Sequence, residues 1–250
     1  ATGQKKFHEG FAPLLSGFRH LPFDDVESVA SVISDKTCAI LIEPIQGEGG
    51  ILIPSEDYLR GLREICDAND LLLMFDEVQM GMGRTGKLWA HEHFGVEPDV
   101  MALAKALGAG TAIGAIVATD KAMAFEPGDH AATFGGNYLA TTAGCAAMDA
   151  ILAPGFLDHV TEMGEFAQAG LLDLASRHTI VKDVRGKGLI VGCELDQDAA
   201  PIVPKALEAG FLLIVAVGSV IRLLPPLTVE KEMIEKLLDF LDSAFKELAA

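Results

Sequence analysis

The chain has 250 residues, and because 50% of them are hydrophobic it can bury the core of one large domain or of a domain and a smaller companion. Its 36 acidic and 19 basic side chains give a formal net charge of -17, which opposes binding to nucleic acid or to anionic membranes, so we expect neither as a partner. The four cysteines lie far apart without a C-x-x-C pair, which predicts no zinc site, no disulfides and a reducing, cytoplasmic location.

Apolar runs of strand length alternate with a helical pattern along the first part of the chain. Runs at 38–42 and 71–75 flank a segment at 58–69 with apolar residues at helical spacing, which predicts a βαβ unit. Further runs at 100–103 and 113–118 predict a mostly parallel sheet that is covered on both faces. Ligands of such sheets bind at the carboxyl ends of the strands, so the residues after each run are candidates for a site.

The pattern becomes helical after the predicted sheet, and a second, smaller α/β unit follows. We predict a large domain at 1–152 and a small C-terminal domain at 153–250. Because the chain starts at Ala1 without methionine and continues with loop-like glycine and proline, we expect the large domain to be incomplete at its N-terminus. No transmembrane helix is expected, since the most apolar stretch contains a lysine and several glycines. The second unit is predicted to contain a strand at 184–195, a helix at 202–209, strands at 211–217 and 219–224, and a final helix capped by Thr228 with an apolar stripe of Met233, Ile234, Leu237, Leu238, Leu241 and Phe245.

Ionisable residues follow two of the strand-like runs at the predicted edge of the sheet. Asp76 and Glu77 come directly after the run at 71–75, and Lys105 follows the run at 100–103 among alanine and glycine. One strand-helix-strand crossover separates Asp76 from Lys105, so both side chains can reach the same carboxyl edge. Burial favours the neutral amine that a covalent link to a carbonyl cofactor requires, and an aspartate keeps a pyridine nitrogen protonated. The pair therefore favours pyridoxal 5′-phosphate (PLP) chemistry, although either residue alone is more often an ordinary surface side chain.

A second motif competes with this interpretation. The segment Gly81–Lys87 has the spacing of a phosphate-binding P-loop, but Leu88 stands where magnesium needs a hydroxyl, and the pattern at 89–98 predicts only a weak helix. His91 and His93 point to different faces of that helix and have no third ligand nearby. We therefore interpret both histidines as solvated polar residues and expect no metal site.

Three other charged residues are informative. Arg222 lies in an apolar strand, where a guanidinium needs an anion, and a substrate carboxylate or a structural ion pair would serve equally. Glu43 and Glu48 lie in Glu43-Pro-Ile-Gln-Gly-Glu-Gly-Gly50, after the run at 38–42. The glycines of this motif let the backbone approach a ligand closely.

Four ordered motifs together resemble those of class III aminotransferases, most closely the acetylornithine aminotransferase group. The resemblance implies a fold-type I PLP-transferase, with a large α/β domain that here lacks its first part and a small α/β C-terminal domain. The motifs are Glu43–Gly50, Phe75–Gly86, Leu103–Gly108 and Thr133–Asn137, and the likeness extends through Val184–Leu189 and Val220–Pro226.

The resemblance implies a cofactor role for four residues. Lys105 matches the lysine that holds PLP covalently and then moves a proton between substrate and cofactor. Asp76 matches the partner of the pyridine nitrogen, and Gln79 matches the neighbour of the ring hydroxyl. Thr133 matches a residue that binds the PLP phosphate of the other subunit, which implies a homodimer with shared active sites.

The resemblance also implies a substrate site and a reaction. Arg222 matches the residue that binds a substrate carboxylate, and Glu48 matches the acid that pairs with this arginine and moves aside. The implied reaction transfers the amino group of N2-acetylornithine to 2-oxoglutarate in arginine biosynthesis, with ornithine, succinylornithine, succinyldiaminopimelate or 4-aminobutyrate as alternative donors. A different alternative is a non-catalytic chain that cannot retain PLP, because the phosphate loop, a ring-stacking aromatic and a second substrate arginine of the family would precede Ala1.

Overall fold

A mostly parallel sheet occupies the first half of the computed structural model, which describes residues 2–249. Its strands lie in sequence order, β1, β2 and β3 are parallel, and β4 is antiparallel to β3. A short helix α1 precedes the sheet and helix α2 connects β1 to β2, which confirms the predicted βαβ unit. The bounds are α1 Val26–Ala30, β1 Ala39–Ile42, α2 Tyr58–Ala68, β2 Leu72–Asp76, β3 Val100–Leu103 and β4 Ala115–Ala118.

Helix α2 holds β1 and β2 side by side through one apolar face. Burying a large apolar side chain stabilises a fold by about 1.5–3 kcal/mol, so this face is the main anchor of the two strands. Because the strands are parallel and anchored by one helix, the segments that follow Ile42 and Asp76 emerge at the same edge. The buried face packs against Leu73 and Phe75 and consists of Tyr58, Leu59, Leu62 and Cys66.

The two faces of this sheet are covered unequally. The strand register and the alternation of side chains place Leu41, Asp76 and Ile116 on one face, opposite to that of α2. On this face Leu41 is 54% exposed and Ile116 is 72% exposed. The prediction of cover on both faces is therefore wrong for residues 2–249, and the open face is the one that carries Asp76.

Two consecutive helices follow the first sheet. Helix α3 (Tyr138–Ile151) begins where the Asn137 side chain accepts a hydrogen bond from Ala140 N at 3.0 Å. Helix α4 (Phe156–Arg177) starts after Gly155, whose φ of 83° interrupts the helical path between the two helices. Within residues 2–249 no single helix is long and apolar enough to cross a membrane, and only α3 and α4 together, bent by 70°, pass on length and composition.

The second sheet is antiparallel, in the order β5-β6-β8-β7, and helix α5 connects β6 to β7. The prediction of a single strand at 184–195 is wrong, because Gly188 and Leu189 form a turn that folds this segment into a hairpin. Glycine at 186 and 188 is itself a turn signal, and the φ of 53° at Gly188 supports the turn. The bounds are β5 Val181–Lys187, β6 Ile190–Leu195, α5 Ile202–Glu208, β7 Ile214–Ala216 and β8 Val220–Leu223.

The final helix, α6 (Lys231–Leu248), covers the second sheet together with α4. The helix is confirmed but its predicted cap is wrong, because Thr228 lies in a turn closed by the hydrogen bond from Val229 N to Pro226 O. Met233 is 50% exposed and does not belong to the buried stripe. The domain boundary at residue 152 stays a prediction. The core between the two helices and the sheet includes Leu171, Leu174, Val191, Cys193, Ile221, Leu241 and Phe245.

Candidate active site

Asp76 and Lys105 lie at the carboxyl ends of neighbouring parallel strands, at one edge of the first sheet. Asp76 ends β2 and pairs in register with Ala102 of β3, and Lys105 follows the end of β3 by two residues. The Asp76 Oδ1 atom accepts a hydrogen bond from Val78 N at 2.9 Å. The structure therefore brings the predicted acid and the predicted lysine to the same carboxyl edge.

Lys105 has an unusual backbone conformation. Its φ is 45°, in the left-handed region that residues with a Cβ seldom adopt, and it opens a 3₁₀ helix at Lys105–Gly108. Such a conformation costs on the order of 1–3 kcal/mol and tends to occur at functional sites. The expected burial of the side chain is wrong, since Lys105 is exposed and its neighbours Ala104 and Ala106 are too small to cover it.

Glu43 joins this edge from the end of β1. Its Oε2 atom accepts a hydrogen bond from Gly47 N at 3.0 Å. Burial raises the pKa of the Glu43 carboxyl above its ordinary range, the Gly47 hydrogen bond opposes the rise, and the negative charge of Asp76 adds to it. Lys105 lowers and Glu48 raises the same pKa, so the Glu43 carboxyl lies within electrostatic reach of all three charged side chains.

The raised pKa of Glu43 gives a prediction about stability. A carboxyl whose pKa is raised by folding contributes stability while it is protonated, and this contribution is lost as pH rises through the unfolded and then the folded pKa. We expect Glu43→Gln, which keeps an acceptor for Gly47 N, to be more stable than the wild type at about pH 8 and to lose this advantage by about pH 4. Urea unfolding across this range measures the difference.

The matched control is Glu56→Gln, because Glu56 is an exposed acid close in sequence to the same loop. This control should leave the pH dependence of the free energy of unfolding unchanged. A wild type that is more stable than Glu43→Gln at about pH 8 would contradict the buried cost assigned to this carboxylate.

Gln79 presents a buried acceptor at the same edge. Its Oε1 atom is buried and has no hydrogen-bond partner among residues 2–249. A Cβ at Gly47 would lie 1.6 Å from that atom, so a larger residue at position 47 would force the Gln79 side chain to move. A buried acceptor without a donor is costly, which points to a donor supplied by a ligand.

Arg222 and Glu48 form an ion pair between the two sheets. Arg222 Nη2 lies 2.8 Å from Glu48 Oε1, and the Arg222 side chain is 3% exposed while that of Glu48 is 52% exposed. The Nε and Nη1 atoms of Arg222 are buried and find no acceptor within the described part of the chain. Both predicted roles of Arg222 therefore have support. The guanidinium forms a structural ion pair, and it also keeps two donors for an anionic ligand.

Thr133 is not brought to this edge. It lies in an exposed stretch at 126–139, and no hydrogen bond of Thr133 to the other predicted site residues occurs within residues 2–249. Its neighbour Phe134 is 82% exposed and Tyr138 is 92% exposed. This exposure agrees with the expected role at the site of another subunit, which stays a prediction.

The histidines at 91 and 93 are structural, and their interpretation as solvated residues is wrong. Glu77 is 1% exposed and accepts hydrogen bonds from Ala90 N, from His91 N and, through Oε1 at 2.9 Å, from His91 Nδ1. His93 Nε2 lies 3.0 Å from Thr85 O, and burial lowers the pKa of His93 to about 4. No cluster of three metal-ligating side chains occurs within residues 2–249.

The glycine-rich segment Gly81–Lys87 joins the two sheets and does not form a P-loop. Arg84 Nη1 donates to Leu189 O at 2.9 Å and to Pro225 O at 2.6 Å, and burial lowers the pKa of Arg84 to about 10. Lys87 Nζ donates to the carbonyl of Glu92, and only a four-residue 3₁₀ helix follows. This geometry excludes the strand, loop and helix arrangement that a P-loop requires.

Sequence patterns did not single out Arg84 or Arg185 as parts of the site. Arg185 Nε donates to Ile51 O at 2.9 Å, and its Nη2 donates to Gly50 O at 2.7 Å. The only local signal was an arginine in a predicted strand, with Asp183 two positions earlier. The backbone carbonyls that accept hydrogen bonds from these two arginines lie more than 100 residues away in sequence.

The architecture and the site have counterparts among known proteins. Residues 1–245 match the family model described as "Aminotransferase class-III". An acetylornithine aminotransferase of Caldanaerobacter subterraneus subsp. tengcongensis is 51% identical over 249 residues, which are 99% of this chain and 63% of that protein. The ornithine aminotransferase from Toxoplasma gondii ME49 superposes with a TM-score of 0.92 at 31% identity, covering 99% of this chain and 60% of that one. The acetylornithine aminotransferase from Elizabethkingia anophelis superposes with a TM-score of 0.86 at 32% identity, covering 92% and 60% of the two chains.

The mostly parallel sheet, the α/β unit that follows it and the superposition on aminotransferase structures place the chain in the fold-type I class of transferases. The chain belongs to the class III aminotransferase family, as the resemblance of its motifs predicts. It spans about 63% of the length of the curated relative and about 60% of the length of the two solved structures.

Proposed function

We propose that this protein is a PLP-dependent aminotransferase that moves the amino group of N2-acetylornithine to 2-oxoglutarate in arginine biosynthesis. The observation that carries the proposal is the placement of Asp76 and Lys105 on adjacent parallel strands, in a chain 51% identical to an acetylornithine aminotransferase. We assign the protein to the cytoplasm, in line with its cysteines and acidic charge.

The side chains at this edge fit PLP. The buried Gln79 Oε1 atom lacks a donor within residues 2–249, and a ring hydroxyl would supply one. Asp76 would hold the pyridine nitrogen in its charged form, and the exposed amine of Lys105 would hold the cofactor covalently. When bound, PLP supplies an electron sink for carbanion chemistry.

Lys105 is the residue to which we assign proton transfer. Its Nζ atom, once released from the covalent link, would take a proton from the substrate carbon and return one, as a general base and then a general acid. The left-handed backbone at Lys105 directs the side chain away from the regular path of β3.

Arg222 and Glu48 are the residues to which we assign substrate selection. Glu48 occupies Nη2, which belongs to both donor forks of the Arg222 guanidinium, so a carboxylate can bind bidentately only after Glu48 leaves. A dicarboxylate such as 2-oxoglutarate would displace Glu48, whereas the acetylornithine side chain would leave the ion pair in place. One pocket would then serve both half-reactions.

The exposed segment around Thr133 supports a homodimer in which each subunit completes the site of the other. Phe125, Phe134 and Tyr138 are each more than half exposed, and contiguous exposed aromatic residues are typical of protein interfaces. In such a dimer, Thr133 would bind the PLP phosphate held by the partner.

Two alternatives stay beside this proposal. The Toxoplasma ornithine aminotransferase superposes with a TM-score of 0.92, which keeps ornithine as an alternative donor beside succinylornithine and 4-aminobutyrate. The second alternative is a chain that folds without retaining PLP.

A donor comparison tests the proposal. With PLP added, we expect glutamate formation from 2-oxoglutarate with acetylornithine at a kcat/KM at least about tenfold above that with ornithine or 4-aminobutyrate. Higher kcat/KM with ornithine would replace the proposed donor. A folded protein that retains no PLP after gel filtration would support the non-catalytic alternative.

A further inference from the structure

The segment Gln46–Leu52, here called the Glu48 loop, is closed at its base and strained at its tip. Two backbone hydrogen bonds between Gln46 and Leu52, at 2.9 and 3.0 Å, close the base. At the tip, Gly50 has a φ of 108° and Ile51 has a φ of 55°. A left-handed conformation at isoleucine is unfavourable and persists only where surrounding contacts enforce it. Hydrogen bonds from Gly50 N and Ile51 N to Gly47 O hold the tip within the loop, and contacts with the second sheet hold it from outside.

Three residues that lie in one row across the second sheet contact the Glu48 loop. Arg185 of β5 pairs with Gly192 of β6, and Gly192 pairs with Arg222 of β8. Directly paired residues of antiparallel strands present their side chains on one face, so the two arginines flank the glycine. A Cβ at Gly192 would lie 3.1 Å from the Cβ of Ile51. Ile51 therefore occupies the gap between the two arginines.

Arg185 connects the tip of the loop to the sheet. Its Nε atom donates to Gly50 O at 3.1 Å and to Ile51 O at 2.9 Å, and its Nη2 atom donates to Gly50 O at 2.7 Å. On the other side, Nη1 lies 2.7 Å from Asp183 Oδ2 and 2.7 Å from Glu194 Oε2. The carboxylates of Asp183 and Glu194 fix the guanidinium, and the guanidinium binds the carbonyls of Gly50 and Ile51.

The ion pair between Glu48 and Arg222 depends on this anchor. The Glu48 side chain is 52% exposed, and half-exposed ion pairs are weak because water competes for the charges and the side chains lose freedom. Glu48 is two residues before Gly50, so fixing the tip removes most of the freedom that the carboxylate would otherwise lose on pairing. A released tip would let Glu48 leave Arg222 for solvent.

We propose that Arg185 is a positioning residue that keeps Glu48 on Arg222 and thereby sets how readily Arg222 accepts a carboxylate ligand. The inference rests on the proposed function, because it takes Arg222 as the carboxylate site. Arg185 touches neither the ligand nor Lys105 in this role and acts only through the Glu48 loop.

Glutarate binding and hydrogen exchange test this role without turnover. Glutarate has two carboxylates but no oxo or amino group, and calorimetry measures its Kd for the protein with added PLP. We expect Glu48→Gln and Arg185→Met each to tighten glutarate binding by about threefold to tenfold, because each frees Arg222. The double variant should bind glutarate no more tightly than Glu48→Gln alone, since both changes remove the same competitor.

Exchange of the backbone amides reports on the anchor itself. We expect exchange in a peptide covering 46–52 to rise at least about tenfold in Arg185→Met, and to rise less in Arg185→Lys, which keeps the charge but not the forked donors. Gly192→Ala disturbs the contact with Ile51 while leaving both arginines intact. It should raise exchange and tighten glutarate binding, as Arg185→Met should. Arg177→Met is the matched control, because Arg177 pairs with Asp173 and Asp242 far from the loop, and it should change neither quantity.

Three results would overturn the inference. Unchanged exchange of the Glu48 loop in Arg185→Met would show that the arginine does not hold it. Arg185→Met should lose its effect on glutarate Kd once Glu48→Gln is present. An equal effect in the wild type and in Glu48→Gln would show that Arg185 does not act through Glu48. Glutarate binding that is absent in the wild type, or that survives Arg222→Met, would overturn the proposed carboxylate site and the inference together.

Discussion

Replacing Lys105 by alanine should abolish covalent retention of PLP. In the wild type with added PLP, we expect borohydride to fix the cofactor on the peptide that contains Lys105, as seen by mass spectrometry. Lys105→Ala removes the amine, so this adduct and the absorption band that accompanies it should disappear. Transamination should fall by at least about 10³-fold, since the same amine is the proposed proton carrier.

The fold should tolerate this change, which makes the readout specific. Lys105 is exposed, and alanine at this position keeps the same backbone conformation and the same Cβ. Lys87→Ala is the matched control, because Lys87 lies in the P-loop-like segment and its Nζ only donates to Glu92 O. A borohydride adduct that persists in Lys105→Ala, or that is lost in Lys87→Ala, would refute the assignment of the cofactor lysine.

Replacing Glu77 by alanine should destabilise the protein strongly. The Glu77 side chain is fully buried and accepts hydrogen bonds from the amides of Ala90 and His91 and from the imidazole of His91. Alanine would leave these donors buried without an acceptor, which costs about 1–3 kcal/mol for each group. We expect the free energy of unfolding, measured with urea, to fall by about 3 kcal/mol or more.

The matched control for this prediction is Glu92→Ala. Glu92 lies in the 3₁₀ helix Ala90–His93, whose first two amides donate to Glu77. Glu92 Oε1 accepts one hydrogen bond, from Trp89 N at 2.9 Å, and Glu92 is exposed, so its loss should cost about 1 kcal/mol or less. Equal losses for the two variants would mean that burial of the Glu77 network does not matter. A stable Glu77→Ala protein would instead point to water replacing the carboxylate.

The strand ends that carry Asp76 and Lys105 were predictable from local pattern. An apolar run of four or five residues specifies a buried strand, and the residue after it must emerge at the sheet edge. The helix α2 was predictable for the same reason, since its apolar residues repeat with the helical period. These predictions needed no knowledge of distant contacts, and the structure confirms the fold class and the shared edge of Asp76 and Lys105, whose roles stay predictions.

The other features of the site depend on contacts between residues far apart in sequence. The hairpin at Gly188 was missed because glycine within a strand pattern indicates either a bulge or a turn, and only the pairing of β5 with β6 decides between them. His91 looks like a solvated residue until Glu77, 14 residues earlier, is seen to bind it.

Local sequence therefore specifies the order of the elements, the residues at their ends and, through four motifs, the family. The folded chain is needed to show that Gln79 lacks a donor, that Glu48 lies on Arg222, and that Arg185 binds carbonyls 134 and 135 residues away. The physical reason is that propensity and periodicity act between neighbours along the chain, whereas hydrogen bonds and burial depend on which surfaces meet when the two sheets pack together.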